Sequence, residues 1–218
     1  GGDFDGTNLG SDDAFVVKFD SGGTEVWRKQ FGTTSNDHIQ SIAIDSNDNV
    51  YISGHTYTYG DLGPGNGGGA NDVIVVKFDS SGTESWRTVL GTSSNEYSYA
   101  IAIDSNDNVY ISGYTTGDLD GTNLGNNDAF VIKFDSDGNE TWRKQLGTSE
   151  EEATYTIAID SNDNVYITGL TEGDLDGTNQ GDRDVFVVKF DTDGTEVWRK
   201  QFGSTSNDFS RGIAIDSN

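Results

Sequence analysis

The chain has no cysteine and no methionine, a single proline, and only 13 basic residues against 37 acidic ones. The missing cysteines remove disulfides, thiol nucleophiles and Cys-ligated zinc together, without fixing a compartment. No run of about 18 apolar residues is present to cross a bilayer as a helix. The N-terminus lacks both Met and the apolar core of a signal peptide, so the chain reads as an internal or processed piece. Scarce positive charge leaves a formal net charge of −24, which repels phosphate backbones and anionic lipid headgroups alike. Neither nucleic acid nor membrane insertion is expected. An acidic, Cys-free chain rich in Gly, Asn and Thr suits an extracellular or cell-surface setting. A salt-adapted intracellular protein shows the same acidic excess, and a leader peptide on the parent gene would decide between them.

Hydrophobic residues make up only 32% of the chain and glycine reaches 29 residues, a composition that without pattern signals disorder. Here the aromatics arrive on a schedule. Trp27, Trp86, Trp142 and Trp198 are spaced by 59, 56 and 56 residues, and the run IAIDSN starts at Ile42, Ile101, Ile157 and Ile213 with the same spacings. A fixed period of this size marks a repeat architecture. The extra residues of the longer repeat sit around Gly63 to Gly69.

Each repeat reads as four short strands: IAID, then NVYISG after an Asp/Asn-rich turn, then AFVVKFD, then EVWRKQF after a turn carrying Gly. In the third, Phe15, Val17 and Phe19 alternate with Val16 and Lys18; in the fourth, Trp27 and Phe31 lie opposite Arg28 and Gln30. A four-stranded sheet apolar on both faces must be covered on both sides, and radial stacking of identical sheets achieves this. The expected fold is all-β, a β-propeller of four-stranded antiparallel blades with a repeat of about 56 residues. These residues resemble the SBBP-type β-propeller repeat of secreted bacterial and archaeal proteins, with its pattern DAFVxKFDxxGxxxW…G…IAxDxxxNVYxxG. The resemblance covers essentially the whole chain. It implies a repeat architecture, commonly within larger surface proteins, and no shared chemistry.

The blades are placed at 41–91, 100–147 and 156–203, with partial blades at 1–32 and 212–218. This gives four first, three second, four third and four fourth strands. Comparison with Asp107 to Thr115 shows that a closed four-bladed ring would lack nine residues. The chain is therefore read as a window on a longer array, with self-association of two copies through open blade edges as the alternative.

In propellers the fourth-to-first and second-to-third loops emerge on one face. Eleven of the 13 basic residues occupy repeated hairpin positions, among them Lys18, Arg28 and Lys29, leaving the loops almost purely acidic. The second-to-third loops read GDFDGTN, GDLDGTN and GDLDGTN. Asp3, Asp5 and Asn8, Asp118, Asp120 and Asn123, and Asp174, Asp176 and Asn179 offer hard oxygen ligands for Ca²⁺, with Asp13, Asp128 and Asp184 closing each set. The spacing departs from the EF-hand and lacks its bidentate Glu, and Gly63 replaces the second Asp in the longer repeat. The competing reading is that these side chains hydrogen-bond their own backbone in solvated turns. The turns at Asp135 to Glu140 and Asp191 to Glu196, and the DSNDN turns, read as ordinary hairpin turns.

Catalysis needs groups that repeats do not share, and few exist. His38 and His55 read as solvated loop residues. Asp37, Glu96, Glu152 and Asp208 recur just before the first strands and could ring the mouth of a central channel; their repetition argues for a structural or ion-attracting role over a paired-acid hydrolase. Tyr57, Tyr59, Tyr97, Tyr99, Tyr114 and Tyr155 share this face, where aromatic rings amid acids and amides suit sugar or peptide. The four tryptophans read as inter-blade core, and Asn139-Glu140-Thr141 is a lone glycosylation sequon. The expected function is a non-enzymatic scaffold or a protein-binding or glycan-binding module of a surface protein, with a carbohydrate-binding propeller as the alternative.

Overall fold

The computed structural model describes residues 4–5, 10–57 and 68–216. Among the described residues fourteen strands run in chain order: β1 (Ala14–Phe19), β2 (Glu25–Phe31), β3 (Asp37–Ile44), β4 (Val50–Tyr57), β5 (Asn71–Phe78), β6 (Glu84–Leu90), β7 (Glu96–Ile103), β8 (Val109–Thr115), β9 (Asp128–Phe134), β10 (Glu140–Leu146), β11 (Glu152–Ile159), β12 (Val165–Thr171), β13 (Asp184–Phe190) and β14 (Glu196–Phe202). They form three four-stranded antiparallel meanders, β3 to β6, β7 to β10 and β11 to β14, here blades A, B and C. The pair β1–β2 makes a half-blade. The expected all-β architecture of four-stranded blades is what the chain forms. The stretch Ile213-Ala214-Ile215, expected to start a further blade, forms no strand, because no second strand lies beside it among the described residues to take its hydrogen bonds.

The turn chemistry explains the hairpins. Between third and fourth strands, Asp20 Oδ1 accepts the Gly22 and Thr24 N–H groups at 2.9 and 2.8 Å, and Gly23 supplies the left-handed residue at φ 79°. Between first and second strands the left-handed position falls to Asp48, Asp107 and Asp163, a residue type whose short polar side chain tolerates it.

Each first strand carries a β-bulge, where the register slips between Ile39 and Ser41, Ser98 and Ala100, and Thr154 and Thr156. The extra residues are Gln40, Tyr99 and Tyr155. First strands pack on one another, β3 on β7 and β7 on β11, so they are the inner strands of the arc.

One apolar core fills each junction between blades. Ala14, Val16, Trp27 and Phe31 of the half-blade meet Ile52, Ile74, Val76 and Phe78 of blade A. Tyr51, Val73 and Val75 meet Ile111, Phe130 and Phe134 at the A–B junction, and Tyr110, Ala129 and Val131 meet Ile167, Phe186 and Phe190 at B–C. A tongue and a clasp direct the stacking. Trp86 lies over Gly138 of the next blade, where a Cβ would sit 2.7 Å from the indole, and its Nε1 donates to Ser136 O at 3.1 Å. Trp27 with Gly82 and Trp142 with Gly194 repeat this arrangement. On the inner hairpins, Ser46 donates to the Asp107 carboxylate of the next blade through N and Oγ, at 3.0 and 2.9 Å, and Ser105 does the same to Asp163. The DSNDN turns thus clasp neighbouring blades, beyond the ordinary turn role expected of them.

Candidate functional site: the aromatic row over buried carboxylates

The second-to-third loops are tied to the blades by a glutamine. Gln145 Oε1 accepts the Leu119 and Asp120 N–H groups, both at 2.8 Å, while its Nε2 donates to Gly117 O and Asp128 Oδ2 at 3.1 and 2.8 Å. Gln201 does the same for Asp176 N, Gly173 O and Asp184 Oδ2, and Gln30 reaches Phe4 N, Asp5 N and Asp13 Oδ2. The leucine between the two aspartates, Leu119 or Leu175, plugs the junction core. Sequence reasoning missed these glutamines, although one signal was present: the repeat that lacks GDxDGTN also carries Val89 where the others have Gln.

Several of the residues proposed for Ca²⁺ give one oxygen to this scaffold, while Asp128 Oδ1 and Asp184 Oδ1 are buried without a hydrogen-bond partner. Asp118 Oδ1 accepts Asn123 N at 2.8 Å, Asn123 Oδ1 accepts Gly125 N at 3.0 Å, and Asp128 Oδ2 takes Leu124 N at 3.1 Å. Asp174, Asn179 and Asp184 match them, with Gly181 and Gln180 supplying the N–H groups. Asp5 and Asp120 are exposed, and Asp176 pairs with Lys200 at 3.6 Å. Asp13 Oδ1 accepts Gly10 N at 3.2 Å. Among the described residues no three acidic or histidine side chains come together as a metal centre. Asp3, Asn8, Tyr59 and Gly63 lie outside the described residues.

Beneath the loops runs a second set of carboxylates. Glu96 and Glu152, at the starts of β7 and β11, are fully buried. Glu152 accepts Thr148 N, Thr148 Oγ1 and Thr171 Oγ1 at 2.6, 2.8 and 2.6 Å, and Glu96 is held by Thr92 and Thr115 in the same way. Burial pushes the Glu152 carboxyl up, its threonine hydrogen bonds pull against this, and the charge of Asp128 adds to the rise. Three carboxylates at this position, Asp37, Glu96 and Asp208, sit beside an aspartate of the preceding blade around one glycine. A Cβ on Gly32 would lie 2.7 Å from Asp13 and 2.8 Å from Asp37, and Gly91 and Gly203 pack likewise on Asp72 with Glu96 and on Asp184 with Asp208. Glycine is required there because two carboxyl groups occupy its side-chain space. Saturated by hydrogen bonds, Glu96 and Glu152 lock the fourth-to-first loops to the first strands.

On the inner strands an aromatic row crosses the blades. His38 and His55 are paired strand residues, not loop residues, with rings 5.2 Å apart. His55 is buried, and burial with the neighbouring His38 charge brings its pKa down to about 4, so it is neutral at pH 7. It meets Tyr97 edge-on at 4.7 Å, Tyr97 meets Tyr114 at 4.8 Å, Tyr114 meets Tyr99 at 5.8 Å, and Tyr99 meets Tyr155 at 5.5 Å. The Arg211 guanidinium caps the row 5.1 Å from the Tyr155 ring. Two of these tyrosines, Tyr99 and Tyr155, are the bulge residues, turned out of the alternating pattern by the extra residue. Asn71 Nδ2 donates to Tyr97 OH at 2.8 Å. Burial raises the Tyr97, Tyr114 and Tyr155 hydroxyls above the usual tyrosine range, so these three stay uncharged at pH 7. Tyr57 lies exposed at the end of β4, 38% accessible.

Stacked antiparallel four-stranded sheets, each latched to the next with inner strands facing one axis, define an open arc of a β-propeller. Three stretches, 26–60, 85–120 and 141–176, match the SBBP β-propeller repeat family, and the chain is a β-propeller repeat protein carrying these three SBBP repeats. Each matched stretch starts in the fourth strand of one blade and ends past the second strand of the next, so the sequence unit spans a junction. The chain is 29% identical over 165 residues to "Regulatory protein FlaEY" of Caulobacter vibrioides, covering 68% of this chain and 17% of that protein. It is 27% identical over 198 residues to the "Uncharacterized WD repeat-containing protein L264" of Acanthamoeba polyphaga mimivirus, covering 72% of this chain and 14% of that one. The chain thus spans about a sixth of the length of these relatives. A solved structure of a protein of unknown function from Bacteroides caccae superposes with a TM-score of 0.41 at 12% identity, covering 85% of this chain and 76% of that one.

Proposed function

We propose that this propeller arc is a non-catalytic binding module of a larger surface protein, and that it seats a protein segment on the aromatic row. The observation that carries this reading is the continuity of the row: rings from three blades lie within 4.7 to 5.8 Å of one another, next to acidic loops. Rigid aromatic side chains give large contact area at low entropic cost, and the acidic loops around them select a partner with basic residues. No catalytic role is assigned to Glu96 or Glu152, because their oxygens are taken up by threonines of their own blade. The relative named as a regulatory protein is compatible with a module that binds without reacting.

The test is selection of a displayed random peptide library, beside a glycan array, on the native chain and on a Tyr97→Ala/Tyr114→Ala variant. Basic-aromatic peptides that bind the native chain and are lost on the variant support the proposal. A glycan retained instead moves the row to the carbohydrate-binding alternative, and binding that the variant leaves unchanged removes the row as the site.

A further inference from the structure

On the face that carries the row, the chain stacks its own arginines on aromatic rings. The Arg211 guanidinium lies 5.1 Å from the centre of the Tyr155 ring, and that of Arg183 lies 5.8 Å from the Phe209 ring. The lysines that stack do so at the hairpin ends of the second strands, where Lys77, Lys133 and Lys189 lie 4.9, 5.1 and 4.9 Å from Tyr51, Tyr110 and Tyr166. Phe209 and Arg211 stand where Tyr97 and Tyr99 stand in blade B, and Arg183 stands where Asn71 reaches the Tyr97 hydroxyl. The chain itself thus shows which cation the rings of this face take. Blade B presents three such rings, Tyr97, Tyr99 and Tyr114, half-buried, with Tyr114 4.8 Å from Tyr97 and 5.8 Å from Tyr99. Among the described residues no cation of the chain lies over them. A guanidinium is planar and more weakly hydrated than an ammonium, so it lies flat on a ring while its edge still donates to nearby oxygens.

We infer that the protein segment seated on the row presents arginine, and that the Tyr97, Tyr99 and Tyr114 rings of blade B take its guanidinium in preference to a lysine ammonium. The inference rests on the row as the binding surface and names the side chain it selects. All three rings belong to a blade packed on both sides, between blades A and C. Tyr99 comes from the bulge, and the same position carries Gln40, Tyr99, Tyr155 and Arg211 in successive repeats, the last of which already stacks on the one before it. The net charge of −24 draws basic segments of either kind toward the chain, so discrimination between them falls to the rings.

Three short glycine-serine peptides, identical but for carrying a pair of arginines, lysines or citrullines, test it on the native chain, with the tyrosine ring resonances followed by NMR. The arginine peptide is expected to shift the rings of Tyr97, Tyr99 and Tyr114 and to bind roughly three- to fivefold tighter than the lysine peptide, the scale of an exposed cation–π contact. Citrulline, planar but uncharged, should bind weakest. Tyr99→Leu keeps apolar bulk at a half-buried position and should shrink the ratio of arginine to lysine affinity, whereas Tyr99→Phe keeps the ring and should preserve it; circular dichroism confirms that both are folded. Equal affinity for the arginine and lysine peptides overturns the inference, and so does a ratio that Tyr99→Leu leaves unchanged or a citrulline peptide that binds as well as arginine. In those cases the row still stands as a binding surface if library peptides are lost on Tyr97→Ala/Tyr114→Ala. Library peptides indifferent to that variant overturn the row itself, and the arginine preference with it.

Discussion

The junction of the half-blade with blade A and the junction of blade B with blade C are built to the same plan, and the carboxylate that closes them is an aspartate in one and a glutamate in the other. At B–C, Glu152 reaches from the start of its strand to Thr171 Oγ1 at 2.6 Å. In blade A the corresponding residue is Asp37, which holds Thr33 N and Thr33 Oγ1 at 2.6 and 3.1 Å but does not reach Thr56. The result is a buried Thr56 Oγ1 and a buried Asp37 Oδ1 with no hydrogen-bond partner. The tongue and glycine of the latch are unchanged between the two. The comparison separates what the apolar latch contributes from what the buried carboxylate contributes, and shows that the fold tolerates an incomplete polar lock where the apolar one is complete.

The largest expected effect tests the shared part. Trp142→Ala at B–C and Trp27→Ala at the half-blade should each cost about 3 kcal/mol in chemical denaturation, since each leaves a void over a glycine and leaves the hairpin carbonyl to its lysine donor alone. Unequal losses would show that the latches are not equivalent. The part that differs comes next. Thr171→Val deprives a buried carboxylate of one donor and should cost about 2 kcal/mol, whereas Thr56→Val removes a hydroxyl without a partner and should change stability by about 0.5 kcal/mol or less, or improve it. Equal costs would break the comparison.

Asp37→Glu should sharpen it by completing the lock with Thr56, a gain of about 1 kcal/mol that Thr56→Val in the same chain abolishes. Titration follows. Glu152 has a raised carboxyl pKa in the folded state, so its contribution is fully present below the unfolded value and is lost as pH rises through the folded one. In Asp45 and Asp160 burial works upward, but hydrogen bonds from Asn49 and Tyr51, and from Asn164 and Tyr166, prevail and hold both below the usual range. Their contribution is present above the unfolded value and is lost as pH falls through the folded one. Thermal melts should therefore rise by a few degrees as pH falls from neutrality toward the ordinary carboxylate range, and fall once pH drops below about 3.5. The share of the rise due to Glu152 disappears in Glu152→Gln, while relief of the net negative charge remains. The smallest effect concerns the acidic loops. With Asp118 and Asn123 engaged by backbone N–H groups, millimolar Ca²⁺ should move the melting temperature by less than about 1 °C; a larger, saturable shift would mean that the loop rearranges around an ion.

Much of this was legible in one dimension. The tryptophan and IAIDSN spacings locate the blades, and alternation within AFVVKFD and EVWRKQF places a face on each side of the sheet. Acidic loops, tyrosines on one face and carboxylates before the first strands were also visible as residue types at fixed positions. Their partners were not. Whether Asp118 binds an ion or its own loop depends on where Asn123 N lies, 5 residues on, and on Gln145, which holds Leu119 from 26 residues away. The histidines read as loop residues because two isolated imidazoles carry no strand signal, and only pairing of β3 with β4 brings them together. Tyr99 and Tyr155 needed the bulge, which no local preference announces.

The sequence by itself determined the blade, its turns and its repetition, because strand alternation and glycine or aspartate turn chemistry act over a few residues. Tertiary structure alone decided which tryptophans are buried, which carboxylates are locked and which rings form a row, because these depend on what the neighbouring blade presents. Trp27 and Trp198 stand at equivalent places in the same EVWRKQF segment, and one is covered while the other is open. Trp27 is covered because blade A packs on it.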